Sequence, residues 1–186
     1  MLNAKYELLN RGGTLSYEPA TAMVDEIEKA LAGGDGDNGV SRRVLGTFLT
    51  WLAERRSRIF VVATANDVTS VPPELIRKGR FDETFFVDLP GRTARADILA
   101  IHAQKRGLVL NPQELAALAS RCESFSGAEI EQAVVAALYS AHAAGQPVTA
   151  AMIAHEMQAT RPLAIVMAEK VAALRLWAAG RTVSAD

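Results

Sequence analysis

The segment that most constrains the fold of this chain is residues 58–64, whose sequence is RIFVVAT. It has β-branched and apolar residues at successive positions, a pattern typical of a central strand buried on both faces of a parallel sheet. A second apolar run, residues 20–24, ends in Asp25 and Glu26 and is also predicted to be a buried strand. The first part of the chain is therefore expected to have an α/β fold, in which helices pack on a parallel sheet.

Further elements are predicted before Pro90 and Gly91, which stop the last strand of this part. They are a helix at 27–31, an amphipathic helix at 41–54 after a mobile loop at 33–39, a helix at 73–76 that opens with a proline, and a strand at 85–89.

The rest of the chain lacks strand signals and is predicted to be helical. A helix is expected at residues 97–105, and a long last helix at 163–179. Between them, three helices are expected to follow polar N-cap residues, namely Asn111, Ser126 and Thr149. The expected domains are an α/β part at residues 1–90 and a small all-helical part at residues 91–186.

Charge and composition exclude several classes of protein. The net charge is −1 and no basic stripe occurs, so the electrostatic footprint of a nucleic-acid binder is missing. No apolar run approaches the roughly 20 residues that a membrane-spanning helix needs. The single cysteine, Cys122, cannot form a disulfide within the chain and is expected to be a buried residue of a cytoplasmic protein.

Two acidic residues, Asp25 and Glu26, come directly after the first predicted strand. Ligands of open α/β sheets bind outside the carboxyl ends of the strands, so these carboxylates are expected to face that crevice. One carboxylate there can hold Mg²⁺, and the next can deprotonate a water for attack on a phosphoryl group. The alternative is an acidic first helical turn that complements the helix dipole.

Two other motifs offer polar groups to a phosphate. Asn66 follows the strongest strand and could donate to a phosphate or to the attacking water, although asparagine also favours turns for its own sake. Arg77 and Arg80 end a short helix and form a rigid double fork suited to phosphate. The alternative is a pair of surface arginines that bridge to Glu74 or Asp82, a contact worth little free energy.

Taken in this order, the three motifs resemble the AAA family of ring-forming ATPases. Asp25 and Glu26 match the Walker B acids, Asn66 matches the sensor-1 asparagine, and Arg77 and Arg80 match the LxRxGRFD segment that carries the arginine fingers. The resemblance implies that Asp25 positions Mg²⁺, that Glu26 activates water and that Asn66 orients it. It also implies that the two arginines act on the nucleotide of a neighbouring subunit.

The resemblance continues into the helical part and covers Ala20 to Arg181. Ile98 and His102 match residues that border the adenine in this family, and Gly127 and Ala128 lie in the turn at the sensor-2 position. It therefore implies ATP and Mg²⁺ as cofactors, a helical lid at 91–186, and self-association or other AAA subunits as partners. The segment at 46–54 and the ending at 167–175 are most similar to a bacterial and plastid subgroup of uncertain cellular role.

A complete module of this family begins with a strand and the loop G-x-x-x-x-G-K-[ST], whose N–H groups hold the phosphates. The 186 residues contain no such motif, and residues 1–19 do not resemble the segment that precedes Walker B. We therefore expect an incomplete P-loop NTPase-type parallel sheet with an uncovered apolar face. Such a chain is expected to self-associate or to rearrange its first residues.

Two functions stay open on this basis. The first is ATP binding and hydrolysis in a complete ring module, to which this chain supplies the C-terminal portion. The second is a non-catalytic fragment that acts as an oligomerisation or interaction module, or an inactive truncated product.

Overall fold

The structure is a computed structural model, and it describes residues 20–31, 38–54, 59–77 and 79–185. The chain forms two compact units, residues 1–83 and residues 84–186. The functional division into 1–90 and 91–186 remains a prediction. No helix within the described residues is long and apolar enough to cross a membrane.

The first unit is built on two parallel strands, β1 at Ala20–Val24 and β2 at Ile59–Ala63. Their register pairs Ala20 with Ile59 and Val24 with Ala63, so both strands end at the same edge. The helices of this unit are α1 at Ile27–Leu31, α2 at Asn38–Glu54 and α3 at Pro73–Ile76. Both strands and all three helices were predicted, but α2 begins inside the predicted loop. Residues 33–37 of that loop, and Arg58 of the predicted strand, lie outside the described residues.

Only one face of this two-stranded sheet is covered among the described residues. Its core consists of Ile27, Leu52 and Leu75, which are at most 4% exposed. On the other face Met23 is 56% exposed and Phe60 is 67% exposed. The prediction of an uncovered apolar face is confirmed here, while the prediction that the 58–64 strand is buried on both faces is wrong for β2. Alternate residues of β2 point to opposite faces, and no described element packs over the second face.

The second unit is helical except for one short pair of strands. The helices are α4 at Arg92–Gln104, α5 at Pro112–Arg121, α6 at Gly127–Ala143, α7 at Ala150–Ala159, α8 at Leu163–Val166 and α9 at Ala168–Ala178. The strands β3 at Phe85–Phe86 and β4 at Val183–Ser184 pair in parallel. These elements confirm the predicted combination of a parallel sheet with a helical part.

Local signals account for most of the helix starts in this unit. All three predicted N-caps are confirmed: Asn111 with Glu114 and Ser126 with Glu129 form capping boxes, and Thr149 caps α7. These side chains satisfy N–H groups that the first helical turn leaves without partners.

The core of the second unit is larger than that of the first. Fully buried residues from four helices and the segments between them pack together, including Leu99, Leu118, Phe125, Ile130, Val134 and Ile153. Cys122 is buried among them as predicted, and burial raises the pKa of its thiol.

Three predicted elements have the wrong bounds in this unit, and one strand was not predicted. Helix α4 starts at Arg92 rather than at residue 97, because its N-cap is Gly91 and no side chain signals the start. The long helix predicted at 163–179 is two helices, interrupted at Met167. Strand β3 is shorter than predicted, and β4 lies where no strand was expected. The last two are pairings of only two residues, too short for a sequence pattern to reveal.

Candidate functional site

The two predicted catalytic acids lie at the bend between β1 and α1. Glu26 has a φ of 49°, the left-handed conformation that residues other than glycine rarely adopt. Two hydrogen bonds to Thr64, the residue after β2, hold this bend. The Glu26 N–H donates to the Thr64 hydroxyl oxygen at 3.0 Å, and the Ile27 N–H donates to the Thr64 carbonyl at 2.9 Å. Backbone strain of this kind persists where surrounding contacts enforce it and is frequent at functional sites.

The same threonine orients the other acid. The Thr64 hydroxyl donates a hydrogen bond to Oδ1 of Asp25, whose side chain is otherwise exposed. The Thr64 hydroxyl thus accepts a hydrogen bond from the backbone of Glu26 and donates one to the side chain of Asp25. Thr64 ends the segment 58–64 that predicted the second strand, but the two hydrogen bonds of its hydroxyl are visible only in the structure.

Asn66 lies opposite the acids, as the pairing of β1 with β2 requires. Its side-chain Nδ2 donates to Oε1 of Glu26 at 2.9 Å. Lys29, one helical turn further on, places its ammonium 2.7 Å from the same oxygen, and this bond raises the pKa of the lysine. The carboxylate of Glu26 is therefore held in a defined orientation by two donors.

Glu28 is a member of this site that the sequence did not single out. It is only 5% exposed, and its Oε1 accepts a hydrogen bond from the Asn66 backbone N–H at 3.1 Å. Its second oxygen, Oε2, is buried without a hydrogen-bond partner among the described residues. The sequence has this third acid two residues after Glu26, but it does not reveal that the Glu28 side chain is buried. We call Asp25, Glu26, Glu28, Thr64 and Asn66 the strand-end network.

The alternative that polar residues after β2 form a turn applies to Asp67, the residue after Asn66. Asp67 caps the short 3-10 helix Val68–Ser70, accepting from the backbone N–H of Thr69 at 3.0 Å and from the hydroxyl of Ser70 at 3.0 Å. The two adjacent polar residues therefore divide their tasks. Asp67 makes the turn, and the Asn66 side chain is directed to the acids.

The two predicted arginines follow α3 in the same unit. Arg77 is the C-cap of α3 and is exposed. Arg80 is partly buried, and its Nη1 is a buried donor without a hydrogen-bond partner among the described residues. A buried donor that lacks a partner is costly, and such groups in folded proteins call for an explanation.

The cofactor-binding residues that were predicted in the helical part lie in the second unit. Ile98 and His102 are one turn apart on α4, and Gly127 and Ala128 open α6. A Cβ atom added to Gly127 would lie 3.6 Å from Cδ1 of Ile98, so the two helices approach each other there. Ala128 is exposed. The structure thus brings Ile98 and Gly127 together, with His102 on the same helix face as Ile98.

Asp25 could hold a Mg²⁺ ion whose other ligands are waters and phosphate oxygens. The described residues contain no cluster of three histidine, cysteine, aspartate or glutamate side chains that could hold a metal. Mg²⁺ is commonly bound by one or two carboxylates together with waters and substrate phosphates, and Asp25 is an exposed carboxylate of that kind.

Comparison with known proteins adds an independent finding. Residues 7–89 match the family described as ATPase family associated with various cellular activities (AAA). The chain is 42% identical over 175 residues to the AAA domain-containing protein ycf46 of Pyropia yezoensis, covering 92% of this chain and 35% of that protein. It is 36% identical over 130 residues to the proteasome-activating nucleotidase of Aeropyrum pernix, covering 66% of this chain and 31% of that protein.

A solved structure has the same fold. The FIGL-1 AAA domain in complex with ADP superposes with a TM-score of 0.72 at 20% identity, covering 88% of this chain and 58% of that chain. The chain spans about a third of the length of the curated relatives that it matches. The family match begins at residue 7, so the expectation that residues 1–19 bear no resemblance to the family is wrong from that residue onward.

Proposed function

The chain belongs to the AAA family of ATPases, and from this premise we propose that it supplies the water-activating acids, the sensor asparagine, the arginine fingers and the helical lid of an ATP-hydrolysing ring module. The observation that supports this proposal most directly is the 2.9 Å hydrogen bond from Asn66 Nδ2 to Glu26 Oε1. It joins the two polar groups that phosphoryl transfer to water needs, and it does so at the carboxyl ends of two paired parallel strands.

In this proposal Glu26 is the general base. Its carboxylate accepts the proton of the attacking water, and the hydrogen bond from Asn66 keeps the accepting group correctly oriented. Asn66 can also donate to the water or to the phosphate, because its amide carries two N–H bonds. Thr64 and Glu28 are positioning residues, since each fixes the backbone or side chain of a neighbour rather than reaching the reacting atoms.

Asp25 would hold Mg²⁺ from this edge of the sheet, directly or through water. A bound Mg²⁺ neutralises charge that develops on the phosphate oxygens. Asp25 contributes a fixed carboxylate, because the Thr64 hydroxyl occupies one lone pair of Oδ1 and limits its rotation.

Arg77 and Arg80 are assigned to a neighbouring subunit's nucleotide. The exposure of Arg77 supports this assignment, since it leaves guanidinium donors for an external anion. Arg80 is assigned with it because it belongs to the same motif. Arginine donors aimed at developing charge are worth several powers of ten in rate for other nucleotide hydrolases.

The test is a chimera in which these residues replace the matching residues of full-length ycf46 from Pyropia yezoensis. These 186 residues contain no phosphate-binding loop of their own, so the isolated chain is expected to have no measurable ATPase activity. The chimera is expected to hydrolyse ATP, and Glu26→Gln is expected to lower its rate by about 10²–10⁴-fold, the usual contribution of a general base. Glu54→Gln, an exposed acid at the end of α2, is the matched control. A chimera that binds ATP but is indifferent to Glu26→Gln contradicts the proposal.

A second candidate is a non-catalytic module that acts on complete subunits. It is favoured by the arginines, which do not need a phosphate-binding loop in the same chain. Adding the isolated chain to the full-length relative is then expected to raise or lower the relative's ATPase rate. Arg77→Ala combined with Arg80→Ala is expected to abolish the effect. A rate unchanged at every mixing ratio excludes this function.

A further inference from the structure

Three polar side chains meet on the second unit where α4 faces α6, and two of them have no part in the function proposed above. The guanidinium of Arg106 donates through Nη2 to Oε1 of Glu131 at 2.7 Å. The imidazole Nδ1 of His102 lies 3.2 Å from the same carboxylate oxygen. Arg106 also donates through Nη1 to the carbonyl of His102 at 3.1 Å. We call His102, Arg106 and Glu131 the imidazole cluster.

The contacts of Nδ1 decide which ring nitrogen of His102 carries the proton. Nδ1 has two polar neighbours, Glu131 Oε1 at 3.2 Å and Arg106 Nη1 at 3.4 Å. An ionised carboxylate can only accept, so the shorter contact is favourable only when Nδ1 carries a hydrogen. The hydrogen bond from Arg106 holds the pKa of the Glu131 carboxyl below its ordinary value, which keeps this carboxylate ionised.

The competing contact is weaker on two grounds. It is longer, and Arg106 Nη1 already donates to the His102 carbonyl oxygen at 3.1 Å. A second bond from that nitrogen to Nδ1 would require an unprotonated Nδ1, whose lone pair would then also face the carboxylate of Glu131. The balance of charge and distance therefore favours the Nδ1–H form of the neutral ring.

We propose that Glu131, held in place by Arg106, is a positioning residue that fixes His102 as the Nδ1–H tautomer and so presents Nε2 as a hydrogen-bond acceptor toward a bound nucleobase. This inference rests on the proposed function, because the resemblance to AAA ATPases that implies ATP binding also implies that the adenine borders Ile98 and His102. The two ring nitrogens lie on different edges of an imidazole, so Nε2 is directed away from Glu131. The side chain of His102 is 17% exposed, so the ring is oriented by its neighbours while part of it stays accessible.

An acceptor at this position has a consequence for which base is bound. The six-position of adenine carries an amino group, which donates, whereas hypoxanthine carries an oxygen there, which accepts. An unprotonated Nε2 can accept from the first and would repel the second. The imidazole cluster thus selects an adenine nucleotide over an inosine nucleotide by fixing a tautomer, with no change in the shape of the pocket.

The first test reads the tautomer directly and needs no nucleotide. The chain has only three histidines, so ¹⁵N-histidine labelling gives three rings, which His142→Gln and His155→Gln assign. At a pH where the ring is neutral, His102 is expected to show a pyrrole-type Nδ1 and a pyridine-type Nε2. Glu131→Ala is expected to shift the ring toward the Nε2–H form, and Arg106→Ala to shift it part of the way. Asp97→Ala removes an exposed acid from the same helix and is expected to leave the spectrum unchanged.

Two results would overturn the inference. One is an Nε2–H ring in the unmodified chain, which would mean that Nδ1 accepts from Arg106. The other is an Nδ1–H ring that survives Glu131→Ala with an unchanged spectrum. Unfolding midpoints of the variants are measured alongside, because a purely structural role would change stability without changing the tautomer.

The second test compares the affinities of MgATP and MgITP for the chimera described above, because the isolated chain contains no phosphate-binding loop. Binding is expected to favour ATP by about threefold to tenfold, the value of one net hydrogen bond, and Glu131→Ala is expected to remove the preference. Equal affinity for the two nucleotides contradicts the base-recognition step. Failure of both nucleotides to bind counts against the proposed function, whereas a wrong tautomer counts only against this inference.

Discussion

In the first unit the candidate residues follow strand ends and are joined across long stretches of chain, whereas in the second they lie on helices whose starts are specified locally. The bond between Asn66 and Glu26 spans 40 residues, and that between Asn66 and Glu28 spans 38. In contrast, the helix that carries Gly127 and Ala128 is capped by residues three positions apart. The comparison teaches that the geometry of the strand-end network depends on correct pairing of β1 with β2, while the scaffold of the helical site is largely encoded in sequence neighbours.

The cores of the two units also differ, and the core of the second unit is the larger one. The fully buried cluster of the second unit draws on α4, α5, α6 and α7, whereas the corresponding cluster of the first contains Ile27, Leu52 and Leu75 among the described residues. Each unit contains one tryptophan, Trp51 in α2 and Trp177 in α9. Variants with Trp51→Phe or Trp177→Phe therefore let fluorescence follow the unfolding of one unit at a time.

The largest effect is expected from a cavity in the core of the second unit. Leu99 is 0% exposed, and Leu99→Ala is expected to lower the free energy of unfolding of that unit by about 2–5 kcal/mol. Urea titration followed at Trp177 measures the loss, and the Trp51 signal is expected to change little. Val109→Ala, at a residue 96% exposed, is the control. Equal losses at both tryptophans would show that the two units unfold together and would weaken the comparison.

The next effect tests whether the first unit depends on bonds between distant segments. Thr64→Val removes a hydroxyl that accepts from the Glu26 N–H and donates to Asp25. It is expected to cost about 1–3 kcal/mol in the Trp51 transition, because the Glu26 N–H then lacks its partner. Thr47→Val, on an exposed position of α2, provides the control. Should the two variants have the same midpoint, the threonine bridge would contribute nothing to the folded state.

A smaller effect is expected from a local cap. Ser126→Ala removes the side chain that accepts from the Glu129 N–H and is expected to cost about 1 kcal/mol in the Trp177 transition. Ser126→Asp restores an acceptor and is expected to recover most of the loss. If alanine and aspartate behaved alike here, the capping box would not explain why α6 starts at this point.

The ion pair between Asp88 and Arg175 is expected to contribute at most about 1 kcal/mol, because both side chains are partly exposed. The bidentate hydrogen bond from Arg175 lowers the pKa of Asp88. A carboxyl whose pKa is lower in the folded state adds stability above its unfolded pKa, and that stability is lost as the pH falls through the folded value. Stability of the second unit is therefore expected to drop as the pH falls below the ordinary range of aspartate, and Asp88→Asn is expected to flatten that drop. An acid profile identical in the two proteins would contradict this contribution.

The smallest effect on folding is expected at the uncovered face of the first unit. Phe60 is 67% exposed on β2, so Phe60→Ser is expected to change the Trp51 transition by only about 0.5 kcal/mol or less. It is expected to reduce self-association in sedimentation velocity, whereas Val109→Ser, an equally polar change on the second unit, is expected to have no such effect. A monodisperse monomer before any substitution would contradict the predicted self-association.

Much of this fold could be predicted because its signals are short in range. Residues 20–24 and 59–63 are recognisable as strands, and the caps at Asn111, Ser126 and Thr149 mark helix starts within a few residues. The break at Met167 could not be predicted, because no glycine or proline occurs there. The start of α8 also depends on a distant contact, because the Leu163 N–H donates to the side chain of Glu129 in α6.

The strand-end network shows the same limit within a single motif. Asp25, Glu26 and Asn66 could be identified by their order along the chain, but the burial of Glu28 and the two bonds of Thr64 could not. These contacts follow from the register of two strands that are far apart in sequence. Periodicity within one strand says which residues share a face, but it does not say which residue of another strand lies opposite.

The sequence by itself determined most of the element types, the polar residues at the strand ends and the family to which the chain belongs, because each of these signals lies in residues close together along the chain. Only the tertiary structure decided the left-handed bend at Glu26, the role of Glu28 and the pairing of His102 with Glu131. Each of these depends on distances between segments that meet only when the chain has folded, and a hydrogen bond exists only within a few tenths of an ångström of its proper length.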